Sequence, residues 1–305
     1  MLIDVGGFRL NFVPAGAGRP VVVFDAALGG SAISWTFVQP EVAKFARACA
    51  YDRAGFGWSE AGPMPRTASR IADELAVLME RSGEAPPYVL VGHSFGGFVT
   101  RIFAARYPRQ TAALVLVDPA HPEDWITPAP KEQVKIDRGI RLCRQGVFAA
   151  RTGLARVASG LVAIGALDAA RALADLVTRR GIGDDADWIL APLFKLPKEA
   201  RRPLRKIWTR ARFYEALGSQ IENISVSAAQ TLEAAAGGYG DLPLVTISCT
   251  DPGEYRIRQQ DALAGLSSRG RHLIASNSGH WIPLDEPSIV IETIRDVCAR
   301  LHSVE

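Results

Sequence analysis

Short apolar runs alternate with helical patterns along most of this chain. Residues 21–24 form a continuous apolar run, which is typical of a strand buried on both faces of a sheet. Further strands are predicted at residues 3–5, 9–13, 48–51, 88–91, 114–117, 244–247 and 273–275, the first two as a hairpin. This alternation predicts an α/β fold, in which helices flank a mainly parallel twisted sheet.

The helical segments carry recognisable start and stop signals. Thr67 precedes an apolar stripe at residues 71–79, and Gly83 follows it. A helix is therefore predicted that begins after Thr67 and ends near Gly83. Similar stripes predict helices near residues 98–107 and 289–297.

The alternation is interrupted once, between Pro122 and Gly238. The pattern there is helical, no strand run is visible, and prolines and glycines mark the two junctions. We predict an α/β core formed by residues 1–121 and 239–305, with a helical cap (lid) inserted at residues 122–238. The alternative is that these helices extend the core itself. The apolar side of residues 154–164 is a candidate roof for a substrate pocket, or ordinary cap core.

Composition narrows the class of protein. Of 305 residues, 48% are hydrophobic and 22% are charged, which is ordinary globular composition. The net charge of +3 indicates no strongly charged partner, and nothing favours nucleic acid. The four cysteines are scattered without close pairing, which argues against a zinc site or a disulfide framework.

Targeting signals are not evident. Asp4 lies where a signal peptide carries a basic residue, and no continuous apolar segment follows it. The most apolar stretch, residues 161–167, is too short for a transmembrane segment. These features predict a cytoplasmic protein.

The strongest motif is the sequence GHSFG at residues 92–96. It fits G-x-S-x-G, and a predicted strand precedes it while a predicted helix follows it. That context is typical of a nucleophile elbow, a tight turn that raises a serine oxygen at the carboxyl end of the strands. Ser94 is therefore the predicted nucleophile, and the N–H of Phe95 is a predicted donor to a developing oxyanion.

A serine nucleophile requires a base to accept its proton. Of the five histidines, His280 follows the last predicted strand in the loop SNSGHW. A loop at the carboxyl end of a late strand can reach the serine, and the order of serine first and histidine last suits this architecture. We predict His280 as the general base, and His93, beside Ser94, as a packing residue.

Five motifs, taken in order, resemble the α/β-hydrolase fold superfamily, particularly its esterase-like members. They are VVFDAALGG at 22–30, YDRAGFGWS at 51–59, VGHSFGG at 91–97, LVDPAHP at 116–122 and SGHW at 278–281. The resemblance implies a serine hydrolase, and it covers nearly the whole chain outside the cap.

One departure concerns the oxyanion hole. Many relatives have His-Gly after the third strand, where this chain has Asp25-Ala26. The resemblance assigns the second oxyanion donor to the N–H of Ala27, or of Leu28. A backbone donor does not depend on its side chain, so the role is retained.

Two carboxylates compete for the third triad position. Asp251 follows the strand at 244–247 in the more usual location, although its sequence also fits a plain turn. Asp118 ends the strand at 114–117, as in relatives that use this earlier carboxylate. We favour Asp118 and keep Asp251 as the alternate acid, because a triad is defined by geometry.

Together these features predict a hydrolase of carboxylic esters that acts through an acyl-enzyme. The expected substrate is a small-molecule ester with an apolar portion, and no metal or organic cofactor is indicated. Acyl transfer, lactone or amide opening and C–C bond hydrolysis remain alternatives, as does a ligand-binding module without turnover. Dehalogenase and epoxide-hydrolase relatives use an aspartate nucleophile, so Ser94 argues against both.

Overall fold

A computed structural model describes residues 1–178, 194–250 and 253–302. The described residues form one eight-stranded sheet in the order β1-β2-β4-β3-β5-β6-β7-β8. The strands are β1 Leu2–Asp4, β2 Arg9–Ala15, β3 Val21–Asp25, β4 Arg47–Asp52, β5 Tyr88–His93, β6 Thr111–Val117, β7 Leu244–Ser248 and β8 Gly270–Ile274. The predicted α/β architecture is confirmed, and each predicted strand is present with small shifts at its ends.

Strand direction follows the sequence pattern. β1 and β2 form the predicted antiparallel hairpin, and β2 pairs antiparallel with β4. The remaining neighbours are parallel, from β4 through β8. Every residue of β3, β5 and β7 is buried, because helices cover both faces of the sheet. These strands therefore do not show the alternation of apolar and polar residues that is seen where one face of a sheet is exposed to water.

Helices lie on both faces of the sheet and in the segment between β6 and β7. In chain order the helices of the described residues are α1 Gln39–Val42, α2 Ala68–Ser82, α3 Gly96–Arg106, α4 Pro122–Ile126, α5 Pro130–Thr152, α6 Leu154–Ala163, α7 Leu167–Thr178, α8 Lys198–Ile207, α9 Ala211–Glu222, α10 Ile224–Ala234, α11 Gly253–Ala264, α12 Ile282–Asp285 and α13 Pro287–His302. Two buried apolar clusters result, one on each face of the sheet.

α2 begins and ends where the sequence predicts. The hydroxyl of Thr67 accepts a hydrogen bond from the N–H of Arg70 at 3.4 Å, and Gly83 ends the helix with φ of 75°. A left-handed terminal residue is the usual position for glycine, because it has no Cβ to clash.

α4 to α10 occupy the predicted insertion, and its described residues include no strand. These helices are fastened to the core at the start of α2. The N–H of Ala68 donates to the hydroxyl of Ser227 at 3.0 Å, and the N–H of Ser69 donates to Oε1 of Gln230 at 3.1 Å. Side chains of α10 thus satisfy first-turn N–H groups that have no partner within their own helix.

The apolar stripe at 154–164 is only partly covered, by the packing of the half-buried Val162 against a cluster of Leu196, Leu204 and Leu284. α6 contains no buried residue, and Val157 and Ile164 are 55% and 78% exposed. None of the helices in the described part of the chain combines the length and apolar character needed to cross a bilayer.

Candidate active site

Ser94 lies on a sharp turn between β5 and α3. Its φ is 53°, and among the described residues only Ser94 and Asp118 are non-glycine residues with positive φ. A Cβ on Gly92 would lie 2.6 Å from the carbonyl oxygen of Gly96, so the turn requires small flanking residues. Ser94 is half-buried, whereas His93 and Phe95 on either side are buried.

The backbone of Ser94 is tied to the end of the neighbouring strand, β6. Its N–H donates to the carbonyl of Val117 at 3.0 Å, and its carbonyl accepts from the N–H of Ala120 at 3.1 Å. The two bonds flank Asp118, so the turn that carries Ser94 and the loop that carries Asp118 are held side by side.

Asp118 and His280 are in direct contact. Nδ1 of His280 donates to Oδ2 of Asp118 at 2.6 Å, and their side chains are 29% and 12% exposed, respectively. The other carboxylate oxygen accepts from the N–H of Cys249 at 3.4 Å. With Nδ1 occupied in this way, Nε2 of His280 is the ring nitrogen that faces away from the carboxylate.

The charge of Asp118 follows from these contacts. Burial would raise its pKa, but the hydrogen bond from His280 and the electrostatic attraction between the two groups outweigh burial, and the pKa lies below its ordinary value. The carboxylate is therefore ionised at neutral pH. Asp251, the alternate acid, lies outside the described residues.

His93 does more than the packing role predicted from the sequence. Because a carbonyl oxygen only accepts, Nε2–H of His93 must donate to the backbone oxygen of His280, at 2.8 Å. The two imidazole rings lie 5.0 Å apart, and the ring of Trp281 lies 5.7 Å from that of His93. Burial, assisted by the nearby charge of His280, lowers the pKa of His93 to about 3. Apart from the position of His93 next to Ser94, no sequence signal indicates this contact.

The two predicted oxyanion donors lie on segments that approach each other closely. A Cβ on Gly96 would lie 2.5 Å from the carbonyl oxygen of Asp25 and 2.8 Å from that of Ala26. Phe95 precedes Gly96 and Ala27 follows Ala26, so both residues border this approach. In the described part of the chain, no backbone-to-backbone hydrogen bond outside the helices and strands uses the N–H of Phe95 or that of Ala27.

A second serine–histidine–aspartate chain exists elsewhere in the fold. Oγ of Ser248 lies 2.8 Å from Nε2 of His272, and Nδ1 of His272 lies 2.8 Å from Oδ1 of Asp261. Ser248, however, is fully buried within β7, and no backbone turn raises it out of the sheet. This network has the right residue types but no access for a substrate carbonyl, so it serves as a natural control for the first.

The described residues contain no group of three or more His, Cys, Asp or Glu side chains arranged to hold a metal ion. The cysteines are unpaired: Cys49, Cys143 and Cys298 are buried, and Cys249 is half-buried. A serine hydroxyl and a carboxylate-bound imidazole are groups of the kind used for nucleophilic attack and proton transfer.

Comparison with known proteins relates the chain to hydrolases. A family model described as alpha/beta hydrolase fold matches residues 19–141. An AB hydrolase superfamily protein of Gibberella zeae is 40% identical over 98 residues, which is 32% of this chain and 30% of that protein. The 2-hydroxymuconate semialdehyde hydrolase of Pseudomonas sp. (strain CF600) is 33% identical over 120 residues, 39% of this chain and 42% of that protein. The chain thus spans less than half the length of these curated relatives.

Solved structures resemble the chain over almost its whole length. A thermophilic esterase from Thermogutta terrifontis has a TM-score of 0.66 at 19% identity, covering 99% of this chain and 98% of that one. The epoxide hydrolase CorEH has a TM-score of 0.64 at 19% identity, with the same coverage. At these identities the likeness concerns the fold, which two enzymes of different chemistry share.

Proposed function

Since this chain has the α/β-hydrolase fold, we propose that it is a serine hydrolase that acts on carboxylic esters. Ser94 is the nucleophile, His280 the general base and Asp118 the acid that orients His280. The observation that carries this proposal is the 2.6 Å hydrogen bond from His280 to Asp118, on a loop tied to the strained turn of Ser94.

The reaction has two half-reactions. Oγ of Ser94 attacks the ester carbonyl while Nε2 of His280 accepts its proton, and the collapse of the tetrahedral intermediate transfers that proton to the leaving alcohol. An acyl-enzyme remains. Water attacks it with His280 again as the base, releasing the carboxylic acid and restoring the Ser94 hydroxyl. Asp118 stabilises the imidazolium in both steps.

The oxyanion of each tetrahedral intermediate requires donors that are oriented before the reaction begins. We assign this role to the N–H groups of Phe95 and Ala27. The N–H of Phe95 lies at the start of α3, where unpaired N–H groups and the helix dipole favour negative charge. The close approach at Gly96 supports a second donor from the loop after β3.

The substrate is expected to be a small-molecule ester with an apolar portion. Half-buried apolar side chains from the core and the insertion pack against the buried cluster that contains Phe95: Leu28, Ala120, Trp125, Ile140 and Ile221. We propose that residues 122–238 act as a lid that supplies part of the apolar surface around the bound substrate. The chemistry requires neither a metal nor an organic cofactor.

The relatives suggest two other reactions. An epoxide hydrolase is disfavoured, because Ser94 occupies the position where such relatives carry an aspartate. Hydrolysis of a C–C bond is the second candidate, favoured by the similarity to the 2-hydroxymuconate semialdehyde hydrolase. The same serine and histidine can serve ester hydrolysis and C–C bond hydrolysis, so the identity of the substrate decides between these two reactions.

Steady-state kinetics on p-nitrophenyl esters test the proposal. Ser94→Ala and His280→Ala should each lower kcat by about 10⁴-fold or more, and the double variant should be hardly worse, because the two groups act as a unit. The matched controls are Ser248→Ala and His272→Ala, which remove the same residue types from the buried second network. An additive double variant, or equal losses in the controls, would contradict the assignment.

Product analysis separates the candidate reactions. In the presence of an acceptor alcohol, a hydrolase yields mainly the free acid, whereas an acyltransferase yields a new ester. A vinylogous diketone, which carries an activated C–C bond and no ester, tests C–C hydrolysis. If the protein turned over the diketone and no ester, C–C bond hydrolysis would replace ester hydrolysis as the proposed function.

A further inference from the structure

Asp25 and Arg53 form a buried ion pair beside the candidate active site. The two residues are 1% and 2% exposed. Nε of Arg53 donates to Oδ1 of Asp25 at 2.8 Å, Nη2 donates to the same oxygen, and the hydroxyl of Tyr51 donates to Oδ2 at 2.7 Å. Burial raises the pKa of Asp25, and Arg53 and Tyr51 oppose that rise. A buried ion pair is often no more stabilising than apolar residues of similar size, so stability alone does not explain it.

The guanidinium also holds the loop after β3. Nη2 donates to the carbonyl of Ala26, and Nη1 donates to the carbonyl of Ala27 at 3.2 Å. In a planar trans peptide the C=O and N–H groups point in opposite directions. With both carbonyls turned toward Arg53, the N–H groups of Ala27 and Leu28 are turned away from it.

Arg53 contacts the other arm of the oxyanion hole as well. The guanidinium carbon lies 5.1 Å from the centroid of the Phe95 ring, within the range of a cation–π contact. The Phe95 side chain is buried, so Arg53 fills the space between this ring and the carbonyls of Ala26 and Ala27. One cation thus touches both segments that carry the proposed donors.

We propose that Arg53, anchored by Asp25, is the positioning residue of the oxyanion hole. It fixes the peptide groups that present the N–H groups of Ala27 and Leu28, and it fixes the ring of Phe95, whose N–H is the other donor. This inference rests on the proposed function of Ser94. It also gives a role to Asp25, which stands where many relatives carry histidine.

The test removes both charges together, so that no unpaired charge stays buried. In Asp25→Asn/Arg53→Met the introduced amide oxygen still accepts from Tyr51. The carbonyl of Ala26 loses the Arg53 donor, and that of Ala27 loses it too but retains the N–H of Gly30 at 2.9 Å. Rates are measured on a p-nitrophenyl ester and on its thionoester, in which sulfur replaces the carbonyl oxygen. Sulfur is a weaker hydrogen-bond acceptor, so the thionoester gains less from the oxyanion hole.

We expect kcat for the ester to fall about 100-fold, the loss typical of one missing oxyanion donor, with KM changed less than about threefold. The ester-to-thionoester rate ratio should fall at least about tenfold. Arg53→Lys retains the charge but lacks the planar fork that reaches a carboxylate and two carbonyls together. Arg53→Lys should lower the ester-to-thionoester rate ratio as well, but by a smaller factor. If the double variant does not fold, this single variant tests the role of Arg53.

The matched control is the second buried arginine–carboxylate pair. Nη1 and Nη2 of Arg66 bind Oε1 and Oε2 of Glu74 at 2.6 and 2.5 Å, and Arg66 is fully buried. Arg66→Met/Glu74→Gln should lower stability and leave the rate ratio unchanged. Unchanged ratios in both Arg53 variants, with ester turnover intact, would overturn this inference alone. A wild-type protein without Ser94-dependent turnover would overturn the proposed function and this inference with it.

Discussion

Replacing Asp118 by asparagine removes one charge from the candidate site while keeping the shape of its loop. Asp118 has φ of 38°, and asparagine tolerates this left-handed region about as well as aspartate does. The backbone bond from Asp118 to the carbonyl of Ile247, at 2.6 Å, is also retained. Any loss of activity in Asp118→Asn therefore reports on the carboxylate rather than on the fold.

The expected loss of kcat in Asp118→Asn follows from the contact of Asp118 with His280. At 2.6 Å, the carboxylate selects the tautomer with a proton on Nδ1 and stabilises the imidazolium that forms during attack. An amide can instead donate its NH₂ to Nδ1, which moves the proton to Nε2 and disables the base. In a serine protease triad the corresponding change lowers kcat about 10⁴-fold, which is about 5 kcal/mol of transition-state stabilisation. We expect a loss of similar size here.

The assay is kcat on a p-nitrophenyl ester, with thermal unfolding to verify the fold. Asp251→Asn tests the alternate acid and should retain most activity. Asp261→Asn, which alters the exposed partner of His272 in the second network, is the control and should also stay active. If Asp118→Asn kept a tenth of wild-type activity, or if Asp251→Asn lost as much as Asp118→Asn, the reasoning would be wrong.

Three further predictions concern strain, positioning and acid stability. Ser94→Gly should abolish turnover yet raise the free energy of unfolding by about 1 kcal/mol, because glycine tolerates φ of 53°; a less stable variant would refute the strain. His93→Phe keeps an aromatic ring but not the hydrogen bond to the His280 carbonyl, and it should lower kcat about tenfold, which corresponds to the energy of about one hydrogen bond. An unchanged kcat would mean that His93 has a packing role only. Burial lowers the pKa of His93 to about 3 and that of His121 to about 4, so the unfolded chain binds more protons below pH 6.5. Near pH 5, these two groups should lower the free energy of unfolding by about 2.5 kcal/mol for each unit that the pH falls, as denaturant titrations would measure. In His121→Gln this slope should be smaller by about 1 kcal/mol per pH unit. An unchanged slope in that variant would count against a neutral buried His121.

The sequence predicts the sheet well because its strands are short apolar runs bounded by turns. The turn at Ser94 was equally visible, since the motif at 92–96 stands between a strand and a helix. Apolar patterning was less informative in the insertion. The stripe along α6 has the spacing of a buried face, yet Val157 and Ile164 are exposed, because periodicity does not specify which element covers it.

Features that depend on contacts distant in the sequence were only partly predictable, and Asp118 was favoured over Asp251 from the sequence without being decided. Asp118 and Asp251 both follow strands, and only the folded chain brings Asp118 against His280, 162 residues away. The left-handed backbone of Asp118 has no sequence signature, because aspartate is common at strand ends for other reasons. The bond from His93 to the backbone of His280 spans 187 residues, and the contacts of Arg53 with the loop after β3 likewise depend on tertiary structure.

The central claim is that Ser94 is the covalent nucleophile, and labelling with a fluorophosphonate tests it most directly. Such a reagent phosphonylates a serine only where a base and an oxyanion site activate it. Peptide mass spectrometry should find one adduct, on the peptide that contains Ser94, absent in Ser94→Ala and unaffected in Ser248→Ala. No adduct on the folded wild-type protein, or an adduct on a residue other than Ser94, would contradict the account.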